Sequence, residues 1–148
     1  MFRTSFLAAS IVAITTTVLA QADLIAARKA IMGESGKHMY GVLPDMLKGA
    51  RPYDQAAVDA AFAQMTDATQ KLPALFVVST KDVPPSGRYS LSLKAWENKA
   101  DFDAKLASYA KSVAAEKPKA KDLASLKEAY TAVAKTCDSC HDAYRVRN

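Results

Sequence analysis

The chain has 148 residues, half of them apolar and 24% charged, with a formal net charge of +5; this is one domain's worth of globular sequence, far from disordered composition. Only 5 Gly, 6 Pro and 2 Cys are present, which excludes a loop-rich or disulfide-framed chain and, with abundant Ala, favours helix. The modest positive charge suits acidic partners, but no basic stripe interleaved with aromatics marks a nucleic-acid surface, so none is expected.

Residues 1–20 read as a secretory signal peptide. Arg3 supplies a short positive start, Phe6 to Leu19 is uncharged and mostly apolar, and Val18-Leu19-Ala20 offers the compact residues a signal peptidase reads. Cleavage after Ala20 leaves Gln21–Asn148 as the mature domain, with 19 basic and 15 acidic residues and a net charge of +4. The apolar part is short, so no stable membrane anchor is expected after cleavage. Export places both cysteines in an oxidising compartment, where a bare thiol pair is oxidised or captured by a cofactor.

The mature chain divides into four helical stretches. The first runs from about Asp23, a plausible N-cap, to Lys48. Leu24, Arg28, Met32, Ser35, Met39, Val42 and Met46 recur every three or four residues on one face. Pro44 should kink its last turns. Residues 49–53 form a turn. Asp54 caps the second helix, with Val58, Phe62, Met65 and Thr69 or Leu72 facing inward and Pro73 disturbing its end. Residues 79–90, with Pro84-Pro85-Ser86-Gly87, are the longest loop. The third helix is expected from about Ser92 to Ala115, with Trp96, Ala100, Asp103, Leu106, Ala110 and Val113 as its inner face. Asp122 caps the fourth, which continues nearly to the C-terminus and carries Leu126, Tyr130, Val133, Cys137, His141 and Tyr144 on one face. No strand pattern competes, although residues 75–78 could be extended. The expected fold is all-α, an antiparallel up-down-up-down four-helix bundle.

Cys137-Asp138-Ser139-Cys140-His141 is the attachment pattern of a c-type haem. Two thiols add to the two haem vinyl groups, and the following imidazole binds the iron. On a helix these residues stand at i, i+3 and i+4 and share one face, which continues the apolar stripe of the fourth helix. A thioredoxin-like pair would want a strand before it and a helix after it. Zinc would need a fourth ligand, and only His38 is left as a nitrogen donor.

With its haem motif near the C-terminus, the chain resembles the class II cytochromes c, the cytochrome c′ family. The resemblance spans the mature chain. It rests on Arg28 and Met32, on Arg51-Pro52-Tyr53-Asp54, on Trp96, and most specifically on Cys137-x-x-Cys140-His141-x-x-Tyr144-Arg145. It implies a periplasmic up-down-up-down bundle with one covalent haem c. Family members divide into five-coordinate high-spin proteins and a six-coordinate low-spin branch in which a first-helix methionine binds the iron. A methionine at the matching place makes this sequence more similar to the low-spin branch. Pro44 departs from an unbroken first helix. Members also pair through their first two helices, so a homodimer is conceivable here.

Helix rise separates the methionines. The iron should sit about two turns from the end of the fourth helix, and Met32 lies about 14 Å along the first, against about 24 Å for Met39 and about 35 Å for Met46. Met65 lies on the helix diagonal to the fourth. Met32 is therefore the expected sixth ligand, opposite His141; the alternative is an uncoordinated Met lining an open site. Arg28 and Arg145 each stand one turn from an axial residue and could bond haem propionates, or remain solvated. His38 is expected on the surface, Trp96 and Tyr130 in the core, and Tyr144 beside the haem edge. The expectation is a non-enzymatic periplasmic carrier of one electron that meets acidic redox partners. The alternative is a five-coordinate protein that binds NO or CO.

Overall fold

The computed structural model describes residues 12–77 and 80–148. The bundle's first rod is α1 (Val12–Lys37), a single π-helical turn (His38–Val42) and α2 (Leu43–Leu47). The second is α3 (Gln55–Leu75). The third joins the short α4 (Lys94–Glu97) to α5 (Lys99–Glu116), and the fourth is α6 (Leu123–Tyr144). Two three-residue strands, β1 (Tyr89–Leu91) and β2 (Arg145–Arg147), complete the molecule. Among the described residues no helix is long and apolar enough to cross a membrane.

The second and fourth rods begin where side-chain caps fit. Asp54 has an extended backbone, and its carboxylate accepts from the Ala56 and Ala57 amides at 2.9 and 3.2 Å. Asp122 accepts from Ser125 N at 2.7 Å, while Ser125 Oγ accepts from Asp122 N, a capping box. Asp23 is not a cap in this chain. Helical backbone starts at Val12, because nothing between Val12 and Ala22 breaks it. The proposed leader straddles this boundary: residues 1–11 lie outside the described residues, and 12–20 are helical.

Pro44 acts differently from a simple kink. Its ring has no N–H and would crowd the carbonyl four residues earlier. The chain absorbs this with the wider π turn immediately before it, so Pro44 falls at the start of α2. Pro73 sits inside α3, which ends two residues later at Leu75. Phe76 is then the C-cap; Val78, the last residue of the proposed extended segment, lies outside the described residues.

The inner faces of the first, second and fourth rods follow the 3.6-residue period. Met39, Met46, Val58, Phe62, Met65, Leu72, Leu126 and Val133 are all buried. The third rod departs from the expected phase. Its helix breaks at Asn98 (φ −115°, ψ 50°), so a stripe projected forward from Trp96 lands on exposed Ala100 and Asp103. Val113 is buried and Leu106 packs half-buried against the core as expected, while Phe102 and Tyr109 are buried residues that the stripe did not include. Asp103 instead pairs with Lys99 at 2.5 Å on the outer surface.

The strand ladder is a small addition to an all-α four-helix bundle. β1 and β2 pair antiparallel, with Tyr89 opposite Arg147 and Leu91 opposite Arg145. Ser92 N donates to Tyr144 O at 2.7 Å and Asn148 N to Arg88 O at 3.1 Å, extending the ladder at both ends. It ties the long loop to the end of α6. The α2 turn packs on α6, whereas the α1 portion packs on α3. The first and fourth rods thus converge at the closed end of the bundle and leave a cavity between them at the other.

Candidate haem site

The cavity holds about 480 Å³, within the range of cofactor pockets, and it takes residues from the first, third and fourth rods and Phe76, the C-cap of the second. α6 contributes Cys137, Cys140, His141 and Tyr144; α1 contributes Arg28, Met32, Gly33 and Gly36. The missing side chains of the two glycines matter. A Cβ at Gly33 would meet nothing within 4 Å, and one at Gly36 only a Tyr40 ring atom at 3.8 Å. The α1 backbone is thus open to a bulky flat group.

The sequence motif is on one helical face, as its spacing requires. Cys137 and Cys140 are free, half-buried thiols. Burial pushes Cys137 up to about 11 and also raises Cys140. Both are therefore neutral thiols at ordinary pH, unlike the activated thiolate of a thioredoxin-like pair. Among the described residues no three His, Cys, Asp or Glu side chains converge as a metal site of their own. His141 is half-buried, and its Nδ1 is buried with no partner. Burial first, then the positive charge of Arg145, lowers its pKa and favours the neutral, ligating imidazole.

Arg28 is buried at 9% exposure, with its guanidinium carbon 4.9 Å from the Phe76 ring centre. Its Nη1 is buried without a partner, and desolvation lowers its pKa. An unpaired buried guanidinium on a cavity wall calls for an anion there. A haem carboxylate would supply one. Arg145 has a different setting. It is exposed, 4.8 Å from the Tyr89 ring centre, at the cavity rim.

A run of aromatic contacts crosses the cavity wall from Arg28. Phe76 meets Phe102 edge-on at 4.9 Å, and Phe102 meets Tyr144 edge-on at 5.2 Å. The Tyr144 hydroxyl donates to Asp101 Oδ2 at 2.5 Å. Sequence reasoning placed Tyr144 at the site but missed Phe76, Phe102 and Asp101. Their spacing in sequence carries no motif; only the bundle brings them together.

The methionines separate in part. Met46 and Met65 are fully buried in the bundle core, away from the cavity. Met32 and Met39 both line it, Met32 half-buried and Met39 buried. Met39 adjoins Tyr40, which lines the same cavity. Met32 stands about two turns nearer the cavity mouth, one turn from Arg28. Trp96 and Tyr130 pack against the core as expected, both half-buried. His38 is not a solvated surface residue: it is half-buried, with an unpartnered buried Nδ1, because the π turn rotates it toward the bundle.

The donor set, the open helix backbone and the orphaned Arg28 nitrogen all fit a covalently held haem. The sequence profile described as cytochrome c′ matches residues 23–145. The chain is 40% identical to cytochrome c-556 of Rhodopseudomonas palustris over 146 residues, covering 98% of this chain and 97% of the relative. It is also 40% identical over 129 residues to a cytochrome c′ of the same organism, covering 87% and 86% of the two chains. The structure of oxidised R. palustris cytochrome c556 superposes with a TM-score of 0.75 at 40% identity, covering 86% of this chain and 98% of the other.

Proposed function

The chain belongs to the cytochrome c′ family and carries covalent haem c, and from that premise we propose that it is a low-spin periplasmic electron carrier with His141 and Met32 as axial ligands. The observation that carries the proposal is one cavity lined by both the Cys137/Cys140/His141 face and the Met32 thioether. When bound, the haem supplies a one-electron iron couple, and thioether ligation favours its reduced state.

The chain's own residues do the rest. Cys137 and Cys140 hold the group covalently, and α6 fixes His141 relative to both. The buried wall of Phe76, Phe102 and Tyr144 excludes water. Arg28 would offset a haem carboxylate's charge inside the cavity, and His141 and Met32 would be the iron's protein ligands. A centre ligated on both sides changes charge with little rearrangement, which suits a carrier rather than a catalyst. The residue 1–20 leader supports export to the periplasm.

A second reading has its own support. The relative named cytochrome c′ is also 40% identical, over 129 residues against 146 for the one named cytochrome c-556. With Met32 unbound, His141 would leave an open face for NO or CO. Absorption spectra of oxidised and reduced holoprotein, with and without CO, decide between them. A low-spin ferric spectrum with a methionine-to-iron charge-transfer band, unchanged by CO in the reduced state, is expected. A high-spin spectrum that shifts sharply with CO would establish the second reading.

A further inference from the structure

The cavity wall and mouth carry five basic residues, Arg28, Lys29, Arg88, Lys105 and Arg145, and no acidic one. Lys29, Arg88 and Arg145, with Arg147, converge on one small platform. Lys29 Nζ donates to Ser86 O and Oγ at 2.5 and 2.9 Å. Arg88 and Arg145 lie 5.3 and 4.8 Å from the Tyr89 ring centre, and Arg147 is paired opposite Tyr89 in the ladder. Among the described residues none of these four lies within 4.0 Å of a carboxylate. Tyr89, 38% exposed, puts apolar surface in the middle of the charges; Val146, opposite Ser90, lies on the other face of the ladder.

The Lys117–Lys121 corner, the more obvious basic run in the sequence, is partly compensated. Lys119 pairs with Glu116 at 2.8 Å, and Lys121 lies 4.0 Å from Asp59 and directly precedes Asp122. Local charge is therefore concentrated at the cavity mouth, on a rigid backbone ladder, where a donor or acceptor must come close to exchange an electron.

We infer that the ladder at the cavity mouth, with Lys29, Arg88, Arg145 and Arg147 around Tyr89, is the docking surface for an acidic redox protein. This rests on the electron-carrier reading. Unpaired cations around a small apolar centre match a transient, electrostatically steered encounter. An anionic bilayer is a poorer match, because the patch is a short ladder and not an extended amphipathic helix.

The test uses the reduced holoprotein in stopped flow, with ferricyanide as anionic oxidant and tris(phenanthroline)cobalt(III) as cationic oxidant. Arg88→Glu with Arg147→Glu is compared with Lys117→Glu with Lys121→Glu, which changes the net charge equally. At low salt the first pair should slow ferricyanide on the order of tenfold and speed the cobalt complex, while the second changes either rate by less than about twofold. Equal effects from the two pairs would overturn the assignment. If the parent exchanges electrons with neither oxidant, the carrier reading fails, and docking is read by amide shift mapping instead. Plastocyanin, an acidic copper protein, should then shift residues 86–91 and 145–148. Shifts centred on residues 117–121 would overturn the surface, as would binding to phosphatidylglycerol vesicles with no plastocyanin response.

Discussion

His141, Cys137 and Cys140 read clearly from the sequence because their chemistry depends on local spacing alone. Changing both cysteines to Ala should leave a chain that loses all haem on acid–acetone extraction; haem retained on the polypeptide would contradict covalent attachment at these positions. Arg28 was half legible. Its place one turn from Met32 follows from the sequence, but the packing on Phe76 and the orphaned Nη1 follow from the fold. Tyr109 offers a pH test. Burial pushes its phenol up to about 12, from about 10 in an unfolded chain. The native state thus keeps this proton longer than the unfolded state does. Its contribution to stability is complete below pH about 10 and is lost as pH rises toward 12. Urea unfolding across that range should show a shallower decline in Tyr109→Phe than in the parent; identical slopes would remove Tyr109 from the alkaline transition.

Rods with an uninterrupted helical period were legible as elements. The rod broken at Asn98 was legible in its extent and only in part in its inner face. One face from Leu24 to Met46 survives the π turn, because the wider turn keeps Met39 and Met46 buried. Asn98 defeats the same logic in the third rod, since a break resets the phase and no proline or glycine announces it. The β1–β2 ladder has three residues per strand, too few for alternation to show, and its partners lie more than fifty residues apart. Caps were read correctly at Asp54 and Asp122, where an acidic side chain precedes a helical run. Asp54→Ala should cost about 1 kcal/mol in urea unfolding, with Asp54→Ser recovering most of it. No loss in the Ala variant would mean that the Ala56 and Ala57 amides find other partners.

At the scale of the whole molecule, the bundle puts the Cys137/Cys140/His141 face of α6 and the Met32 thioether of α1 on one cavity, whose α1 wall is left bare at Gly33 and Gly36. Up-down-up-down order was enough to propose this from helix rise. The cavity itself leaves both Met32 and Met39 in play. The most direct test is the ferric absorption spectrum of the Met32→Ala holoprotein beside the parent and Met39→Ala. Met32 is half-buried, so its loss should cost about 2 kcal/mol and leave the bundle folded. The Met32 variant should lose the methionine-to-iron band, turn high-spin, bind CO when reduced and show a lower potential, while Met39→Ala keeps the parent spectrum. A parent spectrum retained in Met32→Ala, or the same spin change in Met39→Ala, would contradict the assignment of Met32 to the iron.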